Sequence, residues 1–117
     1  MFQMVRIRVR FVRKADGRPL TGKQYTAKLF DKDVLCDDPL GEARPDAEGR
    51  VEFTCELADA ASLDSLLETK PDLYVVLYED GTEVFRSPVF RDVDFLRPDP
   101  VTGEKNQLTQ DLGTFAV

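Results

Sequence analysis

At 117 residues, with 42% apolar and 32% charged side chains, the chain has the size of one domain that buries a core without metal or disulfide staples, and its composition excludes a disordered chain. A net charge of −6 argues against nucleic acid as a partner, because polyphosphates are held by clustered Lys and Arg. The sequence contains no histidine, which removes every imidazole general base and every Ser-His-Asp or Cys-His pair. A non-catalytic protein is expected, with only carboxylate, Lys or Tyr chemistry left open.

The first element in chain order is the clearest. Val5, Ile7, Val9 and Phe11 alternate with Arg6, Arg8 and Arg10, a period of two that predicts a half-buried strand. Turn chemistry follows at Ala15 to Pro19 and a second strand near Lys23 to Phe30. Asp31 to Arg50 reads as a long connection interrupted by a short strand around Leu40 to Arg44. Val51, Phe53, Cys55 and Leu57 restore the period of two. From Ser62 to Thr69 the period changes, with Leu63, Leu66 and Leu67 at helical spacing behind an N-cap serine, and one short helix is expected there. Asp72 to Tyr78 is apolar on both faces, as in a central strand covered on each side. Glu79-Asp80-Gly81-Thr82 is a hairpin signal that returns the chain along Glu83 to Phe90. Arg91 to Gln107 is a surface excursion with Phe95 and Leu96 as core anchors, and Leu108 to Val117 supplies the last strand. Residues 1–117 therefore form a single all-β domain, an antiparallel two-sheet sandwich of six to eight strands with one short helix.

Gly17-Arg18-Pro19-Leu20 followed by Tyr25 to Asp31, then Asp31-Lys32-Asp33, Asp37-Asp38-Pro39-Leu40-Gly41-Glu42, Pro45 to Phe53 and Asp111-Leu112-Gly113-Thr114 resemble the motif progression of transthyretin-like (prealbumin-like) sandwich domains. The resemblance covers the first half of the chain and its last few residues. It implies a Greek-key sandwich, a fold used by carriers, adaptors, signalling proteins and one hydrolase branch, so function does not transfer with it. That branch relies on histidines and a C-terminal tetrapeptide ending in Gly-Ser, whereas this chain ends Thr114-Phe115-Ala116-Val117. Within these motifs Gly41 and Gly49 are expected at tight turns between the sheets.

Two sets of residues are candidates for a site. Asp31, Asp33, Asp37 and Asp38 lie in an acid-rich connection that also resembles the calcium loop of C2 domains, with a spacing about one residue short, and calcium takes about six to eight oxygens. The alternative is that these acids cap loop backbone amides. No cofactor other than calcium is expected. Arg6, Arg8 and Arg10 project from one strand face, where they either hold an acidic protein partner or anionic lipid, or pair across strands with Glu52 and Glu56.

The leading expectation is a non-catalytic binding module that presents long loops to a protein partner, with a calcium-dependent binding domain as the alternative. A homo-oligomer through an uncovered Tyr74, Val76 and Tyr78 face is a further option. Cys36 and Cys55 are too few for a disulfide framework and are expected as small buried hydrophobes. The opening MFQMVRIRVRF is neither a secretory signal nor a membrane span, so the chain as written reads as cytoplasmic, or as secreted if a signal peptide has been removed.

Overall fold

The arginine-alternating segment forms β1 (Met4–Val12), with Val5, Ile7, Val9 and Phe11 fully or almost fully buried. The computed structural model describes residues 4–32, 38–56, 72–91, 93, 101 and 109–117. The remaining strands are β2 (Tyr25–Asp31), β3 (Asp38–Ala43), β4 (Arg50–Glu56), β5 (Leu73–Glu79), β6 (Thr82–Arg86) and β7 (Thr109–Ala116). They make two sheets, one of order β4-β1-β7 and one of order β3-β2-β5-β6. The described residues are all-β, and the sandwich expected from the period-two pattern is present.

Register explains how the alternation becomes a core. Ile7 pairs with Phe53 and Val9 with Val51, so the apolar sets of β1 and β4 share one face. Across the sandwich they meet Ala27 and Leu29 of β2 and Leu73, Val75 and Leu77 of β5 in a single buried cluster. Each large side chain so buried contributes about 1.5–3 kcal/mol. Aromatic contacts join the layers at one end. Phe11 of β1 meets Phe85 of β6 edge to face at 5.8 Å, and Phe115 of β7 lies 5.3 Å from Phe85 and 6.1 Å from Phe90. The other face of β5 is buried too. Tyr74 is 4% exposed and Val76 0%, with the Phe30 ring stacked on Tyr74 at 5.2 Å and the Arg86 guanidinium 5.3 Å from the Tyr74 centroid. This face is therefore not the open patch that a dimer contact through Tyr74 and Val76 requires.

The Asp-Gly turn joins β5 to β6 as expected, with Asp80 at φ 50° and Gly81 at φ 83°, the left-handed pair that a two-residue hairpin takes. Two expectations are corrected. The sandwich is not wholly antiparallel, because β7 runs parallel to β1. A parallel pair cannot be closed by a tight turn, and here residues 13–108 lie between the two strands. Gly41 is not at a turn between sheets. It lies inside β3 opposite Leu29, where a Cβ would meet the Phe53 ring at 3.5 Å, an ordinary van der Waals contact, so neither a turn nor a clash requires glycine there. The predicted helix at residues 62–69, the anchors Phe95 and Leu96, and Cys36 lie outside the described residues. Cys55 is buried in the core. Among the described residues, no helix is long and apolar enough to cross a membrane.

Candidate interaction face

The alternation that buries Ile7 and Val9 turns the arginines of β1 outward, onto the far side of the three-stranded sheet. Register sets Arg6 opposite Thr54 and Thr109, Arg8 opposite Glu52 and Asp111, and Arg10 opposite Arg50 and Thr114. Directly paired residues share a face, so three rows cross the sheet, successive rows about 7 Å apart along the strand.

The rows differ in chemistry. In the middle row Arg8 Nε donates to Glu52 Oε1 at 2.8 Å, with both side chains about half exposed. Such a pair is worth tenths of a kcal/mol to about 1 kcal/mol. In the next row Arg10 and Arg50 are direct cross-strand neighbours, an arrangement that like charges disfavour. Arg10 Nε donates to the carbonyl of Glu48 at 2.9 Å. In the third row the Arg6 side chain has no ion pair among the described residues, and Glu56 stands opposite Met4 rather than opposite an arginine. Among the described side chains, the expected cross-strand pairing is made between Arg8 and Glu52, and the Glu56 side chain lies outside them.

Two turn-forming aspartates complete the face. Asp46 Oδ1 accepts the backbone N–H groups of Glu48 at 2.8 Å and Arg50 at 2.9 Å. Those amides, that of Arg50 first, hold the Asp46 carboxyl below its ordinary value, with Arg50 and Arg10 adding to the effect through their charge. On β7, Asp111 Oδ1 accepts the Gly113 N–H at 2.8 Å. Here the strand carries one residue more than β1, since Asp111 faces Arg8 while Thr114 faces Arg10. Gly113, at φ 103°, accommodates this bulge. Its effect is to turn Asp111 and Thr114 outward together while Leu112 and Phe115 both pack on the core. The result is an open groove of about 750 Å³ lined by Arg8, Arg10, Asp46, Arg50, Glu52, Asp111 and Thr114.

The structure thus brings Arg6, Arg8 and Arg10 onto one face, as the sequence implies, and adds Arg50, Asp46, Asp111 and Thr114. The signals for the added residues are present in the sequence as Asp46-Ala47-Glu48-Gly49-Arg50 and Asp111-Leu112-Gly113-Thr114, but only strand register shows that both arrive beside β1.

Of the calcium candidates, Asp31 is buried at the end of β2 and its cross-strand neighbour on β3 is Asp38. Asp33 and Asp37 lie outside the described residues. Among the described residues, no three Asp, Glu, His or Cys side chains gather as a metal site. A second cavity of about 540 Å³ lies beside Arg13, Lys14, Leu20, Tyr25 and Glu79. Burial, and then the neighbouring Glu79, raise the Tyr25 phenol above its ordinary value, so it is held in its protonated form.

No family model matches the chain, and no curated protein does. Among solved structures, a 9R-lipoxygenase from Cyanothece PCC8801 is similar over 98% of this chain with a TM-score of 0.59 and 23% identity. The chain spans 16% of that lipoxygenase's length. A likeness at this identity shows shared architecture of the strands and says nothing about chemistry.

Proposed function

We propose that the chain is a non-catalytic β-sandwich binding module that docks an acid-bearing protein segment on the outer face of β4-β1-β7. The observation that carries this reading is the row in which Arg10 and Arg50 face each other across two strands. Like charges held opposite one another cost stability, and an anionic partner relieves that cost. The absence of histidine from the whole sequence supports a binding role over catalysis. The long connections first put forward as the docking surface lie largely outside the described residues, so the sheet face takes their place in this reading. The transthyretin-like motifs, and the passage of the chain between sheets from β1 to β2, from β3 to β4, from β4 to β5 and from β6 to β7, support a Greek-key arrangement.

The test is an NMR titration of the uniformly labelled chain with two short acid-bearing peptides, Ser-Glu-Ser-Glu-Ser-Glu-Ser and Ser-Glu-Ser-Lys-Ser-Glu-Ser, at least one of which must bind. Amide shifts are expected on β1, β4 and β7 and should weaken steeply with added salt, as partly exposed ion pairs do. Shifts confined to the other sheet, or none, refute the reading.

A second reading, calcium-dependent binding, is favoured by one observation, the cross-strand juxtaposition of Asp31 and Asp38. Calcium at a hundredfold over its dissociation constant adds about 2.7 kcal/mol of stability. Thermal unfolding in millimolar calcium should then exceed that in chelator by several degrees, and coincident curves dispose of it.

A further inference from the structure

The three rows of the outer face do not carry one sign of charge. At one end, the guanidiniums of Arg10 and Arg50 outnumber the single carboxylate of Asp46, which sits in the same groove and is held in its own turn by backbone amides. That row is positive. In the middle row one guanidinium, Arg8, lies between the carboxylates of Glu52 and Asp111, and the row is negative. At the other end Arg6 lies between Thr54 and Thr109, and the row is positive again. The face reads plus, minus, plus along β1.

The spacing of those rows is that of every second residue in an extended chain, about 7 Å. An extended peptide laid along β1 therefore sets its residues i, i+2 and i+4 over successive rows. Resting on the docking reading above, we infer that the partner segment is an extended strand with the pattern acid-x-base-x-acid. Its outer acids lie over the Arg10/Arg50 row and over Arg6, and its central base lies over Glu52 and Asp111. The pattern is the same read in either direction, so charge does not fix the polarity of the bound strand. A uniformly acidic segment meets the middle row as a repulsion, and that repulsion supplies selectivity against generic polyanions.

The test compares two peptides of identical composition and net charge, Ser-Glu-Ser-Lys-Ser-Glu-Ser and its permutation Ser-Glu-Ser-Glu-Ser-Lys-Ser, by NMR titration at low ionic strength. The first is expected to bind about fivefold more tightly, the ratio that follows from pairs worth tenths of a kcal/mol each. The exposed substitution Glu52→Lys turns the middle row positive and should abolish the preference between the two permuted peptides, making the all-acid Ser-Glu-Ser-Glu-Ser-Glu-Ser the tightest of the three. Equal affinity of the two permuted peptides, with shifts still on β1, β4 and β7, overturns the pattern while leaving the docking face standing. Equal binding of anionic phosphatidylserine vesicles and the patterned peptide also overturns it, as does an unchanged preference in Glu52→Lys. If no peptide shifts any amide of this face, the docking reading itself fails.

Discussion

Gly49 offers the sharpest test of how the groove is held together. Its φ is +75° and it is buried at the turn that leads into Arg50. A Cβ there would press on the carbonyl oxygen of Phe11 and approach the Leu20 nitrogen to 3.1 Å. The Phe11 carbonyl accepts the Leu20 N–H at 3.0 Å, and the Phe11 N–H donates to the Gly49 carbonyl at 2.8 Å. Alanine at this position meets a backbone penalty of about 1–2 kcal/mol. Displacing the two hydrogen bonds adds about 1 kcal/mol each, and the stiffer unfolded chain offsets about 0.4–1 kcal/mol. The net expectation for Gly49→Ala is a loss of about 3 kcal/mol, or a fall in Tm of about 12 °C for a domain of this size.

Gly17 provides the internal control, because its φ is +73° but nothing lies within 4 Å of the added Cβ. Gly17→Ala should therefore lose only about 1 kcal/mol. The assay is urea and thermal unfolding of both variants followed by circular dichroism. Equal losses at the two positions refute the argument that the close approach to Phe11, rather than the dihedral alone, makes glycine necessary at 49.

Two further predictions concern the polar groups that hold the sheets. Ser87 is buried, and its hydroxyl accepts the Val75 N–H at 2.9 Å. Ser87→Ala strands that amide in the core and should cost about 1–3 kcal/mol in urea unfolding, whereas a change near zero means another acceptor reaches Val75. The Asp46 carboxyl is depressed below its ordinary 3.8 by the amides of Arg50 and Glu48. A depressed acid stabilises fully above its unfolded pKa and loses that contribution as pH falls through the folded value. Asp46→Asn should accordingly lower stability at neutral pH and converge on the parent protein well below pH 3.8, and a difference that persists in strong acid contradicts the assignment.

The strands were legible wherever one face is wet and one is dry. β1 and β4 declare themselves because Arg6, Arg8 and Arg10, or Glu52 and Thr54, interrupt every apolar position. β5 was legible for the opposite reason, since Leu73 to Leu77 has no polar interruption and both its faces are buried. β7 was located as a strand, but its direction and bulge were not, because Leu112 and Phe115 are three apart and a period of two sets them on opposite faces. The bulge that reconciles them is a property of pairing with β1, not of the local sequence. The same limit applies to the site. The arginine row belongs to one strand and could be read from it, while the Arg10–Arg50 opposition and the arrival of Asp111 beside Arg8 are products of register between segments distant in the chain. Gly41 reads as a turn glycine for a related reason, in that a glycine inside a strand looks the same in sequence as one at a turn until its partner strand is placed.

The pairing of β1 with β7 has a consequence for synthesis. Val117 N–H donates to the Val12 carbonyl and Lys14 N–H to the Val117 carbonyl, both at 2.9 Å, so the middle strand of one layer finds its second neighbour about a hundred residues downstream. Contacts of such long range are slow to form. On the ribosome, β1 waits with one ladder edge unsatisfied until β7 has emerged. The guanidiniums along it, being mutually repelling and strongly hydrated, discourage a neighbouring nascent chain from occupying that vacancy first.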